Sequence, residues 1–555
     1  MTIQGPDVAV GLACGRANCS GEAELSGSTG ARTTDSQGTS AQRERVVLAV
    51  GRYELTEGST ATVLVPLTGR GPGVIAGAST HLLPETLAVT VRGGKRVTEA
   101  VWVLSASSAA RSLVAGTRFF VPAPLGGAVR QDAGLKSQGD LRDAGLVGRM
   151  LATSHAVWFG GATPQGGTQT AQEVQAQVSG IMREAASRGS VPVLATFNIP
   201  GRDCEPAGAV DEAAYENWIG AFARGIGGGK AVVILEPDSL ANLPSDCLNS
   251  DSSLDATRYP FSDAGRLAEI NYSVAAIEKD PHASVYLDGG NSAWQPVGTI
   301  AAALVRAGVE NAQGFVLNVS SNQYTANSIA YGTWVSDCIA YGVFVKPGNF
   351  SGCPNQYWNG GPGGTEIAKL LRAWHGVALN SYGVWSGSTT TADLNISGID
   401  ARYESLLGST KPFTHFVIDT SLNGRGMNDM AAYASAPYHQ PASVISALVG
   451  GNLCNPPGSG LGLAPTTDTG EALVDAYLWV RNPGESGGQC DSAGSTRAWD
   501  FSAYSRPGWP TSVEARSLFD PLWGRIDPAP GSWFPELALQ LVNDAVQSRK
   551  APENE

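Results

Sequence analysis

Over 555 residues the chain carries a formal net charge of −13, charged residues make up only 16%, and glycine occurs 69 times. The acidic balance excludes nucleic acid and anionic membrane as partners, and no apolar run approaches the length of a transmembrane helix. Sparse charge and abundant glycine fit a loop-rich secreted protein, although Met1–Val10 lacks the basic start and apolar core of a signal peptide. The eight cysteines Cys14, Cys19, Cys204, Cys247, Cys338, Cys353, Cys454 and Cys490 include no CxxC pair, which argues for disulfides and an oxidising compartment.

Residues 1–115 alternate apolar and polar positions in short runs, VAVGLAC, GEAELSG, RVVLAVGRYEL, STATVLVPL, LAVTVRG and VTEAVWVL. Period-two alternation at short spacing predicts an all-β sandwich. Ser28–Arg43 is polar and reads as a loop. The segment is similar to small Ig-like modules of secreted proteins. Only Tyr53 and Trp102 offer aromatic surface, so a spacer or packing role is expected over carbohydrate binding.

From residue 116 the pattern changes to buried strands alternating with helices. The barrel is expected to begin near Phe119–Pro122, with strands at Ala156–Phe159, Val191–Phe197, Ala231–Leu235, Ala283–Leu287, Gly314–Val319, Phe413–Ile418 and Asp475–Val480. Helical spacing marks Val174–Arg188, Tyr215–Ile226, Ala264–Ile277 and a closing helix over Trp533–Ser548. Residues 337–365 and 486–532 read as two long loops over a cleft, because loops of that length are usually functional. Gly225–Lys230 (GIGGGK) fails the phosphate-loop spacing, the six histidines show no metal-ligand spacing, and no GxSxG elbow occurs. The Asn-x-Ser sequons, including Asn271, Asn318, Asn349 and Asn395, read as chance matches.

The most informative stretch is Lys230–Leu243, KAVVILEPDSLANL. The apolar run stops at Glu236-Pro237-Asp238, because proline removes a ladder donor. Asp238 thus falls at the C-terminal mouth of a strand, where α/β barrels keep their chemistry. The alternative is that Asp238 only caps a helix starting at Ser239. Two further strand ends deliver Asp203 (NIPGRDC) and Asp288 (DGGNSAW). Clustered carboxylates push their proton affinities apart, leaving one as an acid and others ionised. With Trp294 as a flat apolar face, the set points to glycoside hydrolysis.

In order, NIPGRDC, VVILEPDSLANL, YLDGGNSAW, FVIDTS, CNPPGSGLG and LWVRNPGES resemble the motifs of glycoside hydrolase family six, from about Arg118 to Val546. The resemblance implies an α/β fold, a distorted (β/α) barrel of seven or so parallel strands over 116–550, following the all-β Ig-like sandwich of 1–115. It implies an inverting β-1,4-glucanase with no cofactor or metal, acting on β-glucan as a secreted monomer. Asp238 would be the acid, Asp203 would support it, and Asp288 would orient substrate or tune the field. Trp158, Trp294, Asn318, Arg481 and Glu485 would bind sugar. Cys204–Cys247 and Cys454–Cys490 would staple site loops, leaving Cys14–Cys19 and Cys338–Cys353 as local pairs.

Departures from the family pattern are concentrated near the reaction centre. The expected Asp of GESDG, a candidate base, is Gly487, and the Arg of DTSRNG expected to pair with it is Leu422. Losing one alone would leave an uncompensated charge, costing about 3–5 kcal/mol if buried, so the two changes look linked. Phe197 replaces a tyrosine, Leu453 the tryptophan of WCN, and Asn291 a histidine. Three functions are therefore in play: a working glucanase whose water is activated through Asp203, a polysaccharide-binding relative without turnover, and an enzyme for a branched or mixed-linkage glucan. Loss of a general base costs roughly 10²–10⁴-fold, and retention of Asp203 and Asp238 favours the first.

Overall fold

The structure is a computed structural model that describes residues 2–4, 7–15, 17–28, 45–69, 82–92, 96–104, 113–160, 169–205, 207–250, 255, 257–356, 394–425, 430–451, 455–489 and 499–546. The first part is all-β, as its alternation requires. Strands β1 (Thr2–Gln4), β2 (Asp7–Ala13), β3 (Cys19–Ser28), β4 (Arg45–Leu55), β5 (Thr60–Pro66), β6 (Leu82–Val91) and β7 (Arg96–Leu104) pair in the order β4-β3-β6-β7-β1-β2-β5. The pairs are antiparallel except for the single contact Thr2↔Leu104 between β1 and β7. The outer strands meet at Ala49↔Leu67. Every second residue, Val8 and Val10, Ala23 and Leu25, Val46 and Leu48, fills the core. A register shift between Leu25 and Ser26 puts Leu48 and its neighbour Ala49 both inside, as a bulge does. Cys14 and Cys19 are disulfide-bonded across the β2–β3 turn.

After α1 (Gly126–Ser137) and α2 (Leu141–Leu151) the chain alternates strand and helix: β8 (Val157–Phe159), α3 (Ala171–Ser187), β9 (Val193–Thr196), α4 (Glu212–Ile226), β10 (Ala231–Leu235), α5 (Pro244–Ser250), α6 (Asp263–Ile277), β11 (Ala283–Asp288), α7 (Val297–Arg306), β12 (Gly314–Leu317), α8 (Thr325–Ala340), α9 (Leu394–Leu407), β13 (His415–Asp419), α10 (Ala442–Gly451) and β14 (Val474–Leu478). These seven strands form one parallel sheet in sequential order, β14 to β8. Its edges approach without a ladder: the amide of Ala156 donates to the Trp479 carbonyl at 2.9 Å, and Trp158 Nε1 donates to the Val480 carbonyl at 2.8 Å. The result is a curled barrel with one weakly closed seam.

Both faces of this sheet are covered, which is why its strands read as continuous apolar runs. Val193, Ala195, Val232, Ile234, Tyr286, Val316, Val417 and Ala476 fill the inside. Leu194, Val233, Leu235, Val285, Leu287, Phe315 and Phe416 face the helices, against Trp218, Phe222, Ile270, Leu304 and Trp334. Helix starts follow their caps: Thr170 and Glu173 form a capping box on α3, Asp211 caps α4 and Ser262 caps α6.

Two expectations change. Residues 337–345 are not loop: α8 runs to Ala340 and continues as a wider turn over Tyr341–Val345, because Tyr331, Trp334, Val335, Cys338 and Ile339 present one buried face. Within 486–532 the chain forms a one-turn α11 (Val513–Arg516) and a two-strand ribbon, β15 (Phe519–Asp520) with β16 (Arg525–Ile526). The closing helix, α12, spans Pro535–Asn543 and packs on α2. Disulfides join Cys204 to Cys247 and Cys338 to Cys353. The expected Cys454–Cys490 pair lies outside the described residues, as do Leu453 and residues 357–393.

Candidate active site

Strands β9, β10, β11, β12 and β14 all end at one mouth, and the chain leaves them in unusual backbone conformations. Asp203, Cys204, Glu236, Asp238 and Asn318 have φ of 59°, 57°, 46°, 68° and 69°. Such left-handed residues cost of order 1–3 kcal/mol each and persist only where surroundings over-determine them. No helix begins at Ser239, so Asp238 is not a helix cap. It opens a single turn closed by the Asn242 amide donating to its carbonyl at 3.0 Å.

That turn is held from three sides. Asp288, 2% exposed, accepts from the amides of Leu240 (2.9 Å), Ala241 (2.8 Å) and Gly290 (2.9 Å). Glu236, fully buried, reaches across to the neighbouring strand end. It accepts from the amides of Asn198 (2.8 Å) and Ile199 (3.0 Å) and from the Tyr215 hydroxyl (3.1 Å). Arg266 of α6 donates to the carbonyls of Ser239 (3.0 Å), Pro200 (2.8 Å) and Gly201 (3.2 Å). Gly201 has φ +68°, and a Cβ there would lie 2.4 Å from the Phe261 ring, so only glycine fits.

The electrostatics separate the three aspartates. Burial raises Asp238 well above the usual carboxylate range, and the charges of Asp288 and Asp203 raise it further. Burial also raises Asp288, but amide hydrogens pull it back. Because Asp238 receives no comparable donors, it is raised further than Asp288. Asp203 is raised by its partial burial and lowered by Arg202 and Arg266. Its carboxylate pairs with Arg202 Nη1 at 2.9 Å and stays 43% exposed. Arg202 in turn lies 4.3 Å over the Phe197 ring, which meets Trp158 edge-on at 5.5 Å. The Phe197 ring therefore carries Arg202 by a cation–π contact.

On the opposite side, Arg481 and Glu485 lie together: Arg481 Nη2 donates to the Glu485 carbonyl at 3.4 Å. Asn482 Nδ2 donates to Glu485 Oε2 at 3.1 Å, and Asn482 Oδ1 faces His155 Nδ1 at 3.1 Å. Burial lowers His155, and its Nδ1 faces two oxygens, the Ala156 carbonyl and Asn482 Oδ1, which fit a hydrogen on that nitrogen. Trp294 is partly buried, its amide donating to the Asn291 carbonyl, and Asn291 Oδ1 accepts from the Ala293 amide at 2.9 Å. Asn318 is fully buried. Its amide bonds to Gln323 on both sides and to the Asp419 carbonyl at 2.8 Å, so it shapes the loop.

Sequence reasoning passed over Glu236, Arg266 and Asp419 as site residues. Asp419, fully buried, accepts from the amides of Ser320, Ser421, Val480 and Arg481 and ties three strand ends together. The signal was present: Glu236 and Asp419 end apolar runs as Asp238 does, and Arg266 interrupts the stripe Ile270, Val274, Ile277 at helical spacing.

The two departures sit differently. Leu422 is 2% exposed among Val147, Met150, Leu461, Trp479 and Phe534. Gly487 is exposed. Its amide donates to Asn455 Oδ1 at 2.8 Å, and Asn455 Nδ2 reaches Asp527 Oδ2 at 2.8 Å.

The sequence profile of glycosyl hydrolases family 6 matches residues 114–545. The chain belongs to that family. Endoglucanase A of Cellulomonas fimi is 28% identical over 405 residues, covering 73% of this chain and 57% of that protein. Thus the chain spans little more than half the length of that relative. Endoglucanase 1 of Streptomyces halstedii is 29% identical over 367 residues, 65% of this chain and 80% of the relative. The probable 1,4-beta-D-glucan cellobiohydrolase C of Aspergillus niger is 26% identical over 397 residues, 66% and 64% of the two. Among solved structures, endoglucanase Cel6 from Mycobacterium tuberculosis is 24% identical with a TM-score of 0.47, covering 78% of this chain and 99% of that one. The family 6 region is the strand–helix barrel together with α1 and α2, and the all-β part precedes it.

Proposed function

We propose that this family 6 chain is a secreted, monomeric glycoside hydrolase that cleaves β-1,4-glucosidic bonds of cellulose or a related β-glucan with inversion. The observation that carries the reading is the buried Asp238 at the end of β10, where burial and the charges of Asp288 and Asp203 raise it well above the usual carboxylate range. Asp238 gives its proton to the leaving oxygen as the C1–O bond breaks. Water attacks C1 from the opposite face and loses its proton through ordered water toward Asp203, whose charge also stabilises the positive sugar ring. Asp288 acts on the Asp238 turn and its field, not on the sugar. Trp158 and Trp294 offer stacking faces, and Arg481 and Glu485 contact hydroxyls. Disulfides at Cys204–Cys247 and Cys338–Cys353 support secretion. No helix among the described residues is long and apolar enough to cross a membrane.

Two observations favour a second reading, a polysaccharide-binding relative with little turnover: the exposed Gly487 has no carboxylate, and Leu422 is built into an apolar cluster. The deciding experiment measures new reducing ends from amorphous cellulose for the native chain and Asp238→Ala, with the product anomer followed by NMR. Activity that vanishes in the variant, with α-anomer released, supports the hydrolase. Retained glucan binding without activity in either protein establishes the binding relative.

A further inference from the structure

The loops that carry Asp203 and Asp238 come from different strands, yet the chemistry needs their carboxylates at a fixed separation. The Cys204–Cys247 disulfide and Glu236 both connect these segments, and the Glu236 carbonyl accepts from the Ser239 amide at 3.1 Å. Arg266 adds a link made by a single side chain between the two loop backbones. One guanidinium nitrogen holds the carbonyl of Ser239, directly after Asp238, and the other holds Pro200 and Gly201, just before Asp203. The side chain is 3% exposed, and no carboxylate of a described residue lies within ion-pair distance of it. Three carbonyl dipoles hold this buried cation, and the charges of Asp203 and Glu269 act on it from further away, an arrangement that apolar packing alone would not place there.

Helix α6 is in turn anchored to the Asp238 side. Its first residue, Asp263, accepts from the amide and hydroxyl of Ser245, both at 2.9 Å. Tyr259, just before the helix, donates to the Gly201 carbonyl alongside Arg266. We propose that Arg266 is a positioning residue for the proposed hydrolysis: its planar fork clamps the two carboxylate loops and so sets the reach of Asp238 to the leaving oxygen. The fork matters because one planar group spans two separate acceptor sites, which a lysine ammonium does not reproduce. Its charge also helps to keep Asp203 ionised.

The claim rests on the hydrolase reading, and leaving-group chemistry separates the two. Cellohexaose needs a proton on its leaving oxygen; 2,4-dinitrophenyl β-cellobioside does not. In the full-length protein, R266Q is expected to lower kcat on cellohexaose about 10²-fold, since a displacement of about 1 Å costs that much. KM should stay within about threefold, and the loss on the dinitrophenyl substrate should be under about tenfold. R266K should regain about tenfold on cellohexaose by holding one loop. Equal losses on both substrates, or none, overturn the proposal. If R266Q fails to unfold cooperatively in urea, R266K alone is decisive: a wild-type rate on cellohexaose overturns the clamp. A wild-type chain inert on both substrates removes the hydrolase reading and the clamp with it, whereas an active wild type isolates the clamp.

Discussion

Asp288→Asn tests the site where geometry and charge are most tightly joined. One oxygen of Asp288 accepts the Leu240 and Ala241 amides, and the other accepts Gly290. An amide keeps one acceptor face and turns NH2 toward the other, so one or two buried N–H groups lose their partner. At about 1–3 kcal/mol for each unsatisfied group, the barrel should lose about 1–6 kcal/mol. The substitution also removes the negative charge that helps to hold the Asp238 proton. The acid must be protonated to work, so activity falls as pH rises through the raised Asp238 value. Without the Asp288 charge that value drops, and the alkaline limb of kcat/KM moves to lower pH. The assays are urea denaturation followed by tryptophan fluorescence and a pH–rate profile on cellohexaose. An alkaline limb that stays in place or moves to higher pH refutes the assignment of the acid to Asp238.

Leu422→Arg should lower stability by about 3–5 kcal/mol, because it buries an unpaired cation among Val147, Met150 and Phe534; a urea midpoint within error of wild type would contradict this. His415 bonds Asp475 at 2.7 Å at the opposite end of the barrel. Burial lowers the His415 value, and the Asp475 hydrogen bond and charge more than reverse this, leaving it raised. The pair therefore stabilises fully below the unfolded histidine value of about 6.5, and the contribution is lost as pH rises through the higher folded value. Denaturation midpoints measured across that window should decline for the wild type, with a shallower decline in Asp475→Asn.

Much of the barrel was legible because strands buried on both faces, such as Ala231–Leu235 and Ala283–Asp288, leave a continuous apolar signal, and their helices carry 3.6-residue periodicity. The mouth aspartates were legible because an apolar run that stops at an acid is a local event. Residues 337–345 were misread because Gly342, Pro347 and the aromatics resemble loop composition, while helix α8 is decided by packing against α7 and β13.

The sequence by itself determined the element types, the order of the parallel strands through short crossovers, and which carboxylates meet at one end. Only the tertiary structure decided that Asp238 is buried beside two like charges, that Asp288 faces backbone amides, that Asn318 bonds Gln323 and Asp419, and that Arg266 joins two strand ends. The physical reason is range. Periodicity and chain breaks act over a few neighbouring residues, whereas desolvation, field and hydrogen bonding act between groups such as Gly201, Ser239 and Arg266 that only folding brings within about 3 Å.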